Sequence, residues 1–224
     1  MLFWIKPGPV ACPVRRCAIS IIYLIRHGET DWNQDKRIQG QVDIPLNARG
    51  RRQAEALAER LSAVPLELIY TSDLIRASET ARIVAARQPG EVPVAAMPEL
   101  RELDYGLWEG LTRSEVSMRF KEDWKTWNQG GRIGSPTGGE DSFSLAGRAG
   151  RAFDAAVQER KTVLISTHRV TLRTILCYAL GLEQSFRNRF VVMNCSLSAL
   201  ECHPEYRPRI LLLNNTCHLD GVEI

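Results

Sequence analysis

Hydrophobic residues fall in short runs of two kinds along this chain, some continuous and some spaced by three and four. Ile21-Ile-Tyr-Leu-Ile25 is a β-rich run ending at Arg26-His27-Gly28, which predicts a buried strand that delivers its last residues into a loop. Asn47 can cap a helix whose Ala54, Leu57, Ala58 and Leu61 follow the i, i+3, i+4, i+7 spacing of an apolar face, closed by Pro65. Leu66–Tyr70 predicts a second strand. Thr71-Ser-Asp can then start a helix through about Ala86, with Ala77, Ala81, Val84 and Ala85 inward and Arg76 in its first turn. Val92–Ala96 predicts a third strand. Thr162-Val-Leu-Ile-Ser166 predicts another, carrying Thr167-His168 into a turn before a helix over Thr171–Leu180.

Strands alternating with helices predict an α/β fold, a doubly wound, mostly parallel sheet with helices on both faces. Ligands of such sheets bind beyond the carboxyl ends of the strands, where His27 and His168 would both lie. Ser196–Glu201 and Arg209–Leu213 read as late strands. One of them is expected to run antiparallel at the edge, since their connection is too short for a crossover helix. Between 106 and 140 the pattern changes. Thr112-x-x-Glu115 is a capping box opening a helix with Val116, Phe120, Trp124 and Trp127 on one face, a segment placed to cap the site. The Gly- and Pro-rich run Gly130–Gly139 predicts a mobile loop, followed by a helix from about Ser142 to Gln158.

With 224 residues, 44% of them hydrophobic, the chain can bury one full core but is short for two. The expected organisation is a loosely ordered N-terminal extension over 1–18 and a single domain over 19–224. The 29 basic and 26 acidic residues are interspersed to a net charge of +3, which argues against a nucleic-acid stripe or a polybasic membrane patch and points to a small partner. Apolar runs are too short to span a bilayer. Six cysteines are too sparse for a disulfide scaffold, so reduced thiols and a cytoplasmic location are expected. Cys195, Cys202, His203, Cys217 and His218 invite a zinc reading. They contain no CxxC pair and match no common spacing, so no metal site is expected.

A phosphate monoester presents spread negative charge and a poor alkoxide leaving group. An enzyme without a metal must therefore supply fixed cations, a nucleophile and a proton donor. Arg26-His27-Gly28 places a charged fork beside an imidazole, with a glycine that allows a tight turn whose N–H groups can approach an anion. Taken alone, a histidine after a strand is more often structural. Its context is long and specific: Leu24-Ile-Arg-His-Gly-Glu-Thr-Asp-Trp-Asn33, Gln39-Gly40, Asp43-Ile-Pro-Leu-Asn47 and Gly50-Arg-Arg-Gln-Ala54. Then follow Thr71-Ser-Asp-Leu-Ile-Arg-Ala-Ser-Glu-Thr-Ala81, Leu100-Arg-Glu-Leu-Asp-Tyr-Gly-Leu-Trp-Glu-Gly110, Gly138-Gly-Glu140 and Ser166-Thr-His168. Over about residues 20–218 the chain resembles the histidine phosphatase superfamily, the phosphoglycerate-mutase-like enzymes.

The resemblance implies that His27 attacks phosphorus in line, that Arg26 and Arg76 clamp the phosphoryl oxygens, and that His168 adds a donor opposite the nucleophile. It implies phosphate binding by Asn33, Gln39 and Gly40, and no cofactor. Glu102 matches the proton donor, a role that requires its carboxyl to be protonated; the bland alternative is a salt bridge to Arg101 or another arginine. Asp104 and Glu109 are the neighbours to try if Glu102 fails. One departure concerns His168-Arg169-Val170, where the family usually has glycine after the histidine. Arg169 is expected to turn away and pair with an acidic residue, the alternative being an extra acidic group on the substrate. Trp108, Trp124 and Trp127 are more readily core than pocket wall. Arg49, Arg51 and Arg52 read as a solvated helix face.

Hydrolysis of a small phosphorylated metabolite is the expected activity. A phosphoglycerate mutase would use the same intermediate, but the short cap looks like the phosphatase branch. A catalytically silent phospho-ligand binder would have no need of Glu102 beside the histidines. A homodimer is the base-rate expectation for assembly.

Overall fold

The computed structural model describes residues 19–129 and 135–222, so the 1–18 extension and the 130–134 part of the Gly/Pro loop lie outside the described residues. Six strands, β1 (Ser20–Arg26), β2 (Leu68–Thr71), β3 (Val94–Ala96), β4 (Thr162–Thr167), β5 (Leu197–His203) and β6 (Tyr206–Asn215), form one sheet in the order β3-β2-β4-β1-β5-β6. The β1–β4, β4–β2 and β2–β3 pairs are parallel. β5 runs antiparallel to β1, and β6 returns antiparallel to β5. The expected antiparallel strand is thus β5, inside the sheet, and the edge strand β6 points the same way as β1. The reason is local: the chain enters β5 from the site end, with Leu197 opposite Ile25, and Pro204-Glu205 leaves room only for a hairpin.

Helices α1 (Asp31–Gln34), α2 (Ala48–Leu61), α3 (Ile75–Ala86), α4 (Arg113–Arg119), α5 (Lys121–Gln129), α6 (Ser142–Gln158) and α7 (Arg169–Leu180) complete the described elements, with short 3-10 turns between them. No helix among the described residues is long and apolar enough to cross a membrane. The period of two within each strand splits the core. Ile22, Leu24, Val163 and Ile165 pack on α6 and α7 through Ala152, Phe153, Leu172 and Leu176. Ile25, Ile69 and Leu164 face Ala54, Leu57, Ala81 and Val84 of α2 and α3. Helices therefore cover both faces, and both sets of strand residues are withdrawn from water.

The cap differs from the single helix expected over 112–127. Thr112 caps α4 with a full capping box, but the helix stops at Arg119 and Phe120 leaves helical geometry with φ −125° and ψ 52° before α5 begins. A straight helix would spread Val116 to Trp127 over about 16 Å. The break lets Phe120, Trp124 and Trp127 gather around Trp108, with ring centroids 6.4, 5.8 and 5.8 Å away. Trp108 is fully buried and is core, with Leu103, Val116 and Leu145 around it. The described end of the Gly/Pro loop is fastened down: Thr137 O accepts from Leu107 N at 3.0 Å and Thr137 Oγ1 from Trp108 Nε1 at 3.2 Å.

Gly28 serves packing, not the anion. Its N–H donates to Thr80 Oγ1 at 3.1 Å, and a Cβ there would lie 2.4 Å from Gly50 O. Gly50, in the first turn of α2, is equally hemmed in, its Cβ position being 2.0 Å from Glu29 O. Alanine in a helix usually gains about 1 kcal/mol over glycine, but here the obstacle is backbone and cannot swing aside. Gly50→Ala should therefore destabilise the protein by about 1–3 kcal/mol, read as a lowered urea midpoint at unchanged slope. A gain in stability would show that the loop after His27 yields easily.

Candidate active site

Parallel pairing sets Arg26 opposite Thr167, and His27 N extends the ladder to Thr167 O at 3.0 Å, so the residues after β1 and β4 leave the sheet together. The imidazoles of His27 and His168 lie 5.1 Å apart between centroids, tilted by 57°. Both are buried, as are Arg26, Arg76 and Glu102. His27, Arg26, Arg76 and Glu102 line one cavity of about 660 Å³ together with Asn33, Gln39 and Gly40, and His168 lies buried behind His27. The sequence-predicted set is thus brought to one place from six separate segments.

Hydrogen bonds distinguish the two histidines. His27 Nδ1 lies 2.6 Å from Gly28 O, a group that only accepts, so Nδ1 carries the proton and Nε2 keeps its lone pair. His168 Nδ1 lies 3.2 Å from Arg76 Nε, a group that only donates, so its proton sits on Nε2, which is buried with no hydrogen-bond partner. Burial, then Arg76 and Arg26, hold His27 well below the ordinary histidine pKa of 6.5. Burial, then Arg76 and His27, do the same for His168. Both rings are therefore neutral near pH 7, one offering a lone pair and the other an N–H.

The arginines are held by backbone carbonyls. Arg76 donates from Nη1 to Val42 O at 2.8 Å and from Nη2 to Gly40 O at 2.7 Å, which leaves each terminal nitrogen a second N–H for a ligand. Gly40 is at φ +53°, and a Cβ on it would lie 1.8 Å from Glu109 Oε1. Its part is to aim Arg76. Arg26 donates to Val192 O at 3.1 Å, while its Nε has no partner. Burial and then neighbouring Arg169 bring the Arg26 guanidinium down to about 9, and burial brings Arg76 down to about 10. Crowded, desolvated cations of this kind are relieved by a bound anion. Asn33 spends its Oδ1 on Thr30 N and Asn194 Nδ2, at 3.2 and 3.1 Å, and keeps its Nδ2 donors for a ligand.

Glu102 forms no ion pair with Arg101, which binds Asp73 instead through Nε at 2.7 Å. Its carboxyl accepts from Leu103 N at 3.0 Å, Val170 N at 3.1 Å and Thr171 N at 3.1 Å. The N-cap of α7 is His168, whose side chain makes no capping bond, and the helix starts two residues before the expected Thr171. Glu102 caps it from a distant segment, satisfying two otherwise orphaned amides. Asp104 and Glu109 do not line the cavity. Trp124 and Trp127 do, with Trp32. Arg169 lines it too, without an ion pair among the described residues; the expected outward pairing is absent because its place at the start of α7 turns it toward the ligand space.

Arg148, Thr171 and Asn194 were not singled out by the sequence pattern. Arg148 forks onto both oxygens of Glu140 at 2.7 Å and donates to Glu99 O, Arg101 O and Glu102 O at 2.7, 2.6 and 2.8 Å. It therefore fixes the backbone that carries Glu102. The only hint was Glu140, eight residues before it and two before α6 begins. Of the zinc candidates, Cys195 and Cys202 are buried core thiols and His203 stacks on Tyr206. His218 bonds Cys195 O at 2.9 Å. Arg49 and Arg51 pair with Glu29 and Glu79 at the surface.

A mostly parallel α/β sheet thus carries two neutral histidines among buried arginines at one end of its central strands. The chain belongs to the histidine phosphatase superfamily, branch 1, whose profile matches residues 22–216. It is 35% identical over 202 residues to phosphoserine phosphatase 1 of Hydrogenobacter thermophilus, covering 88% of this chain and 93% of the relative. It is 38% identical over 186 residues to "Probable phosphoglycerate mutase GpmB" of Proteus mirabilis, covering 80% and 84%. The solved structure of Bacillus stearothermophilus YhfR superposes with a TM-score of 0.82 at 32% identity, covering 91% of this chain and all of that one. Relatives of this chain thus include phosphatases and mutases.

Two histidines whose pKa is held well below the ordinary value in the folded chain bind protons more readily once it unfolds. Stability from this source is complete above the ordinary pKa of 6.5 and is lost as pH falls below it, by about 1.4 kcal/mol per pH unit for each ring. His168→Gln should flatten the fall of unfolding free energy between roughly pH 6 and pH 5 by about that amount per unit, measured in urea. Identical slopes in the two proteins would mean that His168 titrates normally in the folded state.

Testing the Arg148 strut needs only stability data. Arg148→Met should cost about 2–4 kcal/mol, because a part-buried carboxylate and three carbonyls lose their donor together. A cost under about 0.5 kcal/mol in urea unfolding would reduce the fork to an ordinary surface pair.

Proposed function

We propose that this protein is a phosphomonoesterase that hydrolyses a small phosphorylated metabolite through a phosphohistidine on His27. The observation carrying this reading is the opposite tautomers of the two histidines. His27 Nε2 has a lone pair to form a bond to phosphorus, and His168 Nε2 has an N–H to bind a phosphoryl oxygen. Arg26, Arg76 and Asn33 supply the remaining donors around the transferring group. In this scheme Glu102 gives a proton to the leaving oxygen as the P–O bond breaks and the N–P bond forms. In the second half, Glu102 takes a proton from water, water oxygen bonds to phosphorus, and His27 leaves as neutral imidazole. No metal enters this scheme, and among the described residues no cluster of His, Cys, Asp or Glu could hold one.

Hydrolysis is favoured over mutase chemistry by the short cap and by a phosphatase relative that the alignment covers over 93% of its length. The similarity to GpmB supports the mutase as second reading. Wild type should hydrolyse p-nitrophenyl phosphate in excess EDTA, and His27→Ala should not. Glu102→Gln should slow an alkyl phosphate by about a hundredfold or more at nearly unchanged binding. Isomerisation of phosphoglycerate without release of inorganic phosphate would establish the mutase instead.

A further inference from the structure

One phosphoryl group is served by Arg26 and Arg76, yet the cavity wall carries more positive charge than that. From Arg26 it continues through Arg169 and Arg173 on α7 to Arg187, in the 3-10 turn Gln184–Arg189 that packs on α7. Arg187 is only 1% exposed, and neither of its terminal nitrogens has a hydrogen-bond partner. Among the described residues neither Arg169 nor Arg187 forms an ion pair. The Arg187 guanidinium lies 5.5 Å from the centroid of Trp127, another residue of the cavity wall. The Glu102 carboxyl acts on this guanidinium only from a distance; a buried cation without a direct ion pair is costly, and a cation over an indole recovers only part of that cost.

Placing this charge beside an already crowded Arg26 gives the pocket an excess of positive charge. An ester with a single phosphate would neutralise the Arg26 end and leave the Arg187 end as it is. We propose that Arg169 and Arg187 form a second anion subsite, which takes a carboxylate or a second phosphate on the leaving group of the substrate. The proposal rests on the reading that the His27 end holds the transferring phosphoryl group. It assigns Arg169 a specificity role at a position where the resembled family usually has glycine. Half-buried Arg169 makes the direct contact and Arg187 supplies charge from behind it.

Binding separates this idea from catalysis. In the His27→Ala protein, which cannot turn over an ester, calorimetry would compare 3-phosphoglycerate and propane-1,3-diyl bisphosphate with glycerol 3-phosphate, whose tail is neutral. One of the acidic esters should bind about tenfold or more tighter than the neutral one, and which one does so identifies the second group. Adding Arg169→Gly should bring that ratio close to one, while Arg169→Lys should keep part of it. Equal binding of all three esters, or a preference that survives Arg169→Gly, would overturn the subsite. A wild type that fails to hydrolyse p-nitrophenyl phosphate while the charge preference stands would count against the phosphatase reading alone.

Discussion

Parallel pairing of β1 with β4, with Arg26 opposite Thr167, is the constraint on which the site rests. Because the two strands point the same way and stop at the same level, the residues that follow each of them leave the sheet side by side. His27 and His168 come from positions 141 apart in the chain and still face each other, and neither needs a long loop to reach the other. A slip of one residue would turn Ile22 and Leu24 from one helix layer to the other. The hydrophobic alternation that holds the core therefore also holds the histidines in register. Antiparallel β5 adds to the same corner, since Cys195 N and Asn194 Nδ2 both donate to His27 O just before that strand begins.

Around this corner the protein accepts an unfavourable concentration of charge. Two arginines and two imidazoles are withdrawn from water, and the imidazoles respond by remaining neutral. The arginines cannot do so near pH 7, and they are held instead by carbonyls of the 40–42 loop and of Val192. Donors thus keep fixed directions before any ligand arrives, which is how electrostatic stabilisation avoids reorganisation during reaction. Glu102 is positioned by the same economy of backbone groups, being the cap that His168 does not supply to α7. Arg148 anchors the segment on which it sits.

Strands, the four long helices and the α/β class were legible in the sequence because period and end signals agreed: Asn47 does cap α2, and α6 spans Ser142–Gln158. The grouping of Arg26, His27, Arg76, Glu102 and His168 was legible through resemblance, not spacing. What escaped the sequence depends on partners far along the chain. Gly28 was read as an anion loop, whereas the nearby backbone of Gly50 explains it. Arg169 was expected to find a carboxylate, and nothing local indicates that its helix starts two residues early with a borrowed cap. The break at Phe120 follows from the size of Trp108, which no helical period within 112–127 reports. Arg148 reaches carbonyls 46 to 49 residues away, a relation with no periodic signature.

The cavity is consequently built from two kinds of material. Its floor, formed by the strand ends, is tied to the register of the sheet, and a change there disturbs the core as well as the chemistry. Its walls come from the start of α7, the turn at 184–189 and the aromatic cap, where side chains project from elements whose own packing is already satisfied. Arg169 and Trp124 lie on these walls and belong to no strand. Substrate choice is in this way physically separable from phosphoryl transfer. A fold with a fixed floor and exchangeable walls can accommodate relatives as different as a phosphoserine phosphatase and a phosphoglycerate mutase on one arrangement of strands.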